Sequence, residues 1–394
     1  MLVSHAKFHR ALRKARVNHE RPTAVVVGAG DVGSSVLRHL AGSGEFEELW
    51  ALDIDVERAG VAVHDAVAIA SYTASAPSPH VAAADVLSVD ELATTLSHVA
   101  PDVIVQTTTL QSWWVITQLP QDLWRRLERE ARFGPWLPFH LVPTASVLAA
   151  ARTACPATPV VNVAFPDAVN AVLAALGTPA TTGAGNSELL TPGIRRAAAE
   201  LLGAPVERVA LEWIGHHYHV VYYWMELERV EPLDPDSFHL RVLLDGDDVT
   251  AQLDVLTVLV NAGRMLPKGR LIGERAAASA AKNARMLLRP GPIDDHVSSA
   301  CGMAGGCDVR FRDGAVELQL PSDVDIEAAK RIMERAQLGD GIAGIDDQGV
   351  VAFTDSAAGA MRDLLGYDCQ TLRPEDAPDR VAELRDRLAN LTAA

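Results

Sequence analysis

The sequence predicts an α/β protein whose N-terminal half is a doubly wound parallel sheet and whose C-terminal half is an α+β domain. Three observations carry this. Short β-branched runs alternate with amphipathic helical stretches from Thr23 to about residue 163, the pattern of parallel strands joined by crossover helices. A glycine-rich turn, "VVVGAGDVG", links the first strand to the first helix. Beyond Val206 the alternation gives way to longer strands, "LEWIGHHYHVVYYW" and "FHLRVLLDGDDVT", followed by helices.

In the first turn Gly28, Gly30 and Gly33 stand at G-x-G-x-x-G spacing. Gly28 permits the tight turn, Gly30 lets a pyrophosphate approach the backbone, and Gly33 lets helix and strand pack closely. The helix N-terminus supplies the positive end of a dipole, so the stretch Gly30, Asp31, Val32, Gly33 is expected to line a cofactor. The second strand, "LWALDID", ends in Asp53, about twenty residues further on, where a carboxylate takes the ribose hydroxyls of NAD and repels the 2′-phosphate of NADP. This fingerprint makes residues 22–163 an expected NAD-binding Rossmann domain.

The later elements follow in order. "VERAGVAVHDAVAIASY" is an amphipathic helix, "PHVAAAD" a strand, "SVDELATTLSHVA" a helix with a Ser cap, and "PDVIVQTT" the fourth strand. Ligands of such sheets lie beyond the C-terminal strand ends, which sets Thr107, Thr108 and Thr109 beside the cofactor. "LQSWWVITQLPQDLWRRLERE" reads as a loop and long helix in which Trp113 and Trp114 pack. The strand "PVVNVAF" closes the first domain near residue 163, and residues 164–394 form the second, α+β domain for substrate binding and oligomerisation.

Composition bounds the function. A chain of 394 residues with 48% hydrophobic content is long enough for two domains. No apolar run approaches the roughly 18–20 residues of a membrane span, and "MLVSHAKFHRALRKARVNHERP" lacks a secretory apolar block, so a cytoplasmic protein without a membrane partner is expected. The net charge of −16 argues against a nucleic-acid partner. Residues 1 to 21 are basic and read as an arm that packs on a partner subunit. Cys155, Cys301, Cys307 and Cys369 have no zinc-ribbon spacing and are expected to be reduced thiols.

The run from Leu211 to Trp224 crowds His216, His217 and His219 into an apolar segment. Read as a strand, it puts His217 and His219 on one face and His216 on the other. The alternatives are a functional pair or core histidines with satisfied hydrogen bonds.

From Thr23 to Leu288 the order of motifs resembles the superfamily of the lactate and malate dehydrogenases and the NAD-dependent glycosidases of glycoside hydrolase family 4. The likeness runs through "VVVGAGDVGSSV", "ALDID", "VVNVAFPDAVN", "TTGAGNSELLTPGIRRAAAELLG" and "IGERAAASAAKNARMLL". It implies NAD as cofactor, a small-molecule substrate, and a homo-oligomer, dimer or tetramer. Gly215-His216-His217 matches the dehydrogenases' Gly-x-His motif, which makes His217 the acid/base. Asn162 matches the asparagine that touches nicotinamide ribose and substrate, and Glu188 takes the place of the aspartate that orients the histidine. Two arginines of the dehydrogenases are missing: none lies between Arg58 and Arg125, and Thr191 stands where the carboxylate-binding arginine belongs. The glycosidases hold a metal through a cysteine whose position here is Gly185, so no metal is expected, although His217 and His219 could form a different site.

The expected function is transfer of a hydride between NAD and a secondary alcohol or ketone of a small polar molecule, sugar-like ones included. One alternative is a glycosidase-like or eliminase-like enzyme using NAD transiently, with Tyr218, Tyr222 or Tyr223 as base. The other is a non-catalytic NAD-binding regulator. Residues 290–394 carry no recognised motif, and "CGMAGGCDVRF" reads as a turn-rich connection.

Overall fold

The first strand, β1 (Thr23–Val27), is apolar or β-branched throughout and wholly buried, as a strand covered on both faces must be. The computed structural model describes residues 21–229 and 231–392; the basic arm expected at residues 1 to 21 lies, Arg21 apart, outside the described residues. β1 pairs in parallel with β2 (Glu48–Asp53) and β4 (Val103–Gln106). With β3 (Ser78–Ala83), β5 (Val160–Asn162) and β6 (Thr182–Gly183) it forms a six-stranded sheet of order β3-β2-β1-β4-β5-β6. The order reverses between β1 and β4, which opens a crevice at their carboxyl ends.

Crossover helices α1 (Asp31–Gly42), α2 (Val56–Ala70) and α3 (Val89–Val99) fall where the pattern sets them. The Asp55 side chain caps α2, whereas Ser88 before α3 makes no capping bond. After β4 the expected long helix is divided. Short helices Trp113–Ile116 and Gln121–Arg126 flank Pro120, whose missing N–H and fixed ring favour a break, and the long helix is α4 (Pro138–Ala154), which carries Pro143 inside it. No helix among the described residues is long and apolar enough to cross a membrane.

The boundary expected at residue 163 does not divide the chain in space, because β6 continues the parallel sheet beyond it. The α+β half also splits. Its middle has its own core around Trp213, Tyr222 and Leu259. Its end returns to the nucleotide half: strands Ile342–Ile345, Val351–Phe353 and Thr371–Leu372 and helix Asp355–Leu365 form a small layer. From that layer and the last helix (Ala377–Thr392), Ile342, Phe353 and Leu384 join one apolar cluster with Val25, Ile104 and Val147.

The run Leu211 to Trp224 is not one strand. β7 (Val209–Ile214) pairs antiparallel with β8 (His239–Leu244) and ends at Ile214. Gly215 bridges to Gly306, and His217–Trp224 is a helix, called below the histidine helix. The switch has a local cause. A Cβ at Gly215 would lie 2.3 Å from the Trp213 ring, so only glycine passes there. His216 is then extended (φ −143°, ψ 161°) and caps the helix. The spacing His217, Val220, Val221, Trp224 is the i, i+3, i+4, i+7 pattern of one helical face, and the H-x-H alternation masked it.

The turn Leu338–Asp340 packs on this helix so closely that a Cβ at Gly339 would sit 2.3 Å from the Tyr218 ring. Gly339→Ala should therefore lower stability by about 1–3 kcal/mol through overpacking. A denaturant midpoint equal to that of the unsubstituted protein would contradict this packing.

Candidate active site

The glycine turn has the shape its spacing implies. Gly28 has φ +94° and leaves no room for a Cβ against Thr108, and a Cβ on Gly33 would lie 1.9 Å from the Gly28 carbonyl oxygen. At Gly30, by contrast, a Cβ would meet nothing within 4 Å. Open space therefore adjoins the turn where a phosphate would approach. Asp53, at the end of β2, is nearly buried, accepts hydrogen bonds from the backbone N–H of Ala29 (2.6 Å) and Asp55 (2.9 Å), and pairs with Arg58 at 2.7 Å. Asp31 pairs with Arg270 at 3.1 Å.

A cavity of about 260 Å³ opens beside this turn, lined by Val32, Thr107 and Thr109 on the nucleotide side and by the histidine helix on the other. Thr107 donates to the carbonyls of Val27 and Gly28, tying β4 to the turn. Thr108 is directed elsewhere, onto Gln106, and does not line the cavity.

The histidines take separate parts. His216 accepts the N–H of Tyr218 on Nδ1 (3.1 Å), and His219 accepts the N–H of His216 on Nδ1 (2.9 Å), a capping box made of imidazoles. His219 then donates from Nε2 to Ser237 (3.2 Å). Both rings are buried, and burial holds both pKa values down, that of His219 to about 3. The expected His217–His219 pair is thus undone, since both nitrogens of His219 are committed to the fold. His217 differs. Its Nδ1 lies 2.8 Å from Asp340 and its ring lines the cavity. A carboxylate accepts only, so Nδ1 carries the proton and Nε2 is left for a ligand.

Asp340 is fully buried and ends the turn that packs on the helix. Burial lowers the pKa of His217, and the Asp340 charge, its hydrogen bond and the charge of Asp167 outweigh it, so the net shift is upward. The same coupling holds Asp340 below its usual range despite burial. Asp167, at the start of helix Pro166–Ala175, accepts the His217 backbone N–H at 2.7 Å and fixes the ring's origin.

Two residues implied by the resemblance do other work. Glu188 does not orient His217: its carboxylate meets Lys282 (2.9 Å) and Asn283 (3.2 Å). Asn162 is fully buried, with Nδ2 on Asn170 (2.9 Å) and Oδ1 on the Ala164 N–H (3.0 Å), so it ties down the loop after β5 and does not face the cavity. Asp340 lies in the segment without a recognised motif, and no spacing in the sequence links it to His217. Another buried chain, Ser187 to His296 (3.2 Å) to Asp308 (3.1 Å), has the order of a hydrolytic triad. A Cβ at Gly306 would lie 2.0 Å from the Ser187 hydroxyl, so backbone covers the position a nucleophile needs open. Among the described residues no group of three or more His, Cys, Asp or Glu side chains is placed to hold a metal.

No protein-family model matches the chain, and no curated protein matches its sequence. Solved structures do match its fold. A 6-phospho-alpha-glucosidase from gut microorganisms, in complex with NAD and glucose-6-phosphate, superposes with TM-score 0.57 at 11% identity over 94% of this chain and 98% of that one. Lactate dehydrogenase from Eimeria maxima, with NADH and oxamate, gives 0.55 at 17% identity over 80% and 91%. Malate dehydrogenase from Salinibacter ruber gives 0.51 at 16% over 80% and 95%. The chain has the fold common to these dehydrogenases and glycosidases. That is the fold the motifs "VVVGAGDVGSSV" and "TTGAGNSELL" imply, carried by a sequence far removed from either group.

If Asp340 raises the His217 pKa, Asp340→Asn should lower it. Histidine ring resonances followed by NMR through a pH titration should show one imidazole whose midpoint falls on this substitution, and an unmoved midpoint would contradict the assignment.

Proposed function

We propose that the protein is an NAD-dependent oxidoreductase that moves a hydride between NAD and a secondary alcohol or ketone, with His217 as acid/base. The observation that carries this is the His217 imidazole, tethered through Nδ1 to buried Asp340 and lining a cavity at the carboxyl edge of the sheet. The residues fit the cofactor: Gly30 leaves space at the start of α1, Asp53 stands at the end of β2, and Val32 and Thr107 form the near wall of the cavity. Asp53 would hold the ribose hydroxyls and the glycine turn the pyrophosphate.

Bound NAD supplies a two-electron acceptor, so the alcohol loses a hydride from carbon and a proton from oxygen, giving ketone, NADH and an imidazolium. His217 Nε2 takes that proton in oxidation and returns it to the carbonyl oxygen in reduction. Asp340 keeps Nδ1 protonated in both states, which fixes the ring and stabilises the cation. The upward shift favours the protonated ring more than in an ordinary imidazole, and that is the form reduction needs.

The tyrosine bases of the transient-redox alternative are disfavoured. Burial and the charge of Glu231 push Tyr218 up, burial and nearby acidic groups push Tyr222 up, and Tyr223 is raised by burial as well. A phenol that must remove a carbon-bound proton needs the opposite shift.

His217→Ala should reduce turnover by about 10²- to 10⁴-fold while NAD affinity, measured by calorimetry, is kept. Turnover at the unsubstituted rate would end the assignment. Asp53→Ala should weaken NAD about tenfold or more, the loss of charged hydrogen bonds, and narrow its lead over NADP. Tighter binding of NADP than of NAD by the unsubstituted protein would contradict this use of Asp53.

A further inference from the structure

The cavity wall bears on the substrate. Trp113, Trp114, Phe133, Phe165, Val221 and Trp224 make most of it, and its lining contains no Lys, Arg, Asp or Glu. Nearby cations are engaged elsewhere. Arg132, next to Phe133, forks onto Glu231 (3.2 and 2.9 Å). Arg270 lies over the Trp114 ring at 5.8 Å and pairs with Asp31. Lys282 sits between Glu188 and Asp295, 2.9 Å from each. A carboxylate or phosphate entering this space would shed water and meet no charge except that of the His217 ring, which Asp340 already balances at 2.8 Å, a cost that apolar contact does not offset.

The polar side chains of the wall are few. Thr107 and Thr109 donate to backbone carbonyls. Besides His217, three buried atoms of the wall lack a hydrogen-bond partner, Nδ1 of His140, Nδ2 of Asn186 and the indole Nε1 of Trp224. Burial and the neighbouring His217 hold the His140 pKa at about 3, so this ring stays neutral. Phe133 and Phe165 each pack against both imidazoles, their ring centres 4.7 and 5.1 Å from that of His217 and 5.6 and 6.0 Å from that of His140. Such a site has polar partners for about one oxygen and apolar surface for the rest. A sugar, with a hydroxyl on nearly every carbon, would leave most of them unpaired.

We propose that the substrate is an uncharged, largely apolar ketone or secondary alcohol of the aryl-alkyl kind, its single oxygen held by His217 with His140 and Asn186 as neutral partners. This rests on the oxidoreductase reading of the same cavity. The neutral partners polarise the carbonyl in a wall whose lining supplies no arginine. They also exclude anions, because neither brings a charge of its own.

Trp113, Trp114 and Trp224 line the cavity, so ligand entry is read by tryptophan fluorescence without turnover. The full chain is titrated with acetophenone, pyruvate and glucose 6-phosphate. Acetophenone should give a saturable change and the two anions none at tenfold higher concentration. Trp114→Arg, at a half-buried position and with retained fold checked by circular dichroism, should weaken acetophenone by about tenfold or more through loss of ring contact and added charge. The proposal is overturned if pyruvate or glucose 6-phosphate saturates at the lower concentration, if acetophenone does not saturate, or if Trp114→Arg leaves it unchanged. NADH consumption separates the two readings. Acetophenone that binds but is never reduced, with no other ketone reduced either, refutes the oxidoreductase reading and leaves the apolar preference standing. His217-dependent reduction of pyruvate does the reverse.

Discussion

A carboxylate removed from water must have its charge met by a neighbour, and for Asp340 that neighbour is His217, 2.8 Å away. Burying such a pair gains little over apolar residues of the same shape, yet removing one member costs about 3–5 kcal/mol because the other is left charged and unpaired. The pair is thus better understood as a specifier than as a source of stability. It fixes which histidine nitrogen carries the proton, and it couples the ends of the chain, since Asp340 arrives only when the last third folds back on the nucleotide half. The small layer around Ile342, Val351 and Phe353 shares the core of β1 and β4, so the arm that delivers the carboxylate is anchored to the sheet that carries the glycine turn.

Three histidines in one apolar run have three distinct fates, and neutral imidazole chemistry explains each. A ring that accepts a backbone N–H on Nδ1 is held neutral and becomes a cap, as at His216 and His219. A ring that donates from Nδ1 to a carboxylate is pulled toward its cation, as at His217. The same buried setting therefore lowers two pKa values and raises the third. Tautomer, set by one hydrogen bond apiece, separates structure from chemistry within four residues.

Much of the nucleotide half was legible because its signals are local. The turn at Gly28, Gly30 and Gly33 and the carboxylate of Asp53 are fixed by neighbours in sequence, and the parallel, doubly wound sheet follows from alternation. The histidine run was legible as important and misleading as structure. Alternation at two positions suits a strand, but Gly215 and the cap at His216 end the strand, and the helical spacing of His217, Val220, Val221 and Trp224 was the countersignal. Glu188 and Asn162 matched family positions in order, yet each is tied by its own partners away from the cavity. Asp340 could not be read, because a contact across 123 residues leaves no periodicity. The apolar wall is equally non-local, assembled from the loops after β4 and β5 and the histidine helix.

The central claim is that one imidazole, held by Asp340, carries the proton in both directions of a hydride transfer. The direct measurement is kcat/KM against pH for ketone reduction and for alcohol oxidation by the same preparation. The account predicts a single shared midpoint above the ordinary histidine value of about 6.5, with reduction falling and oxidation rising as pH passes through it. Profiles that are flat there, or a midpoint below the ordinary value, would contradict it.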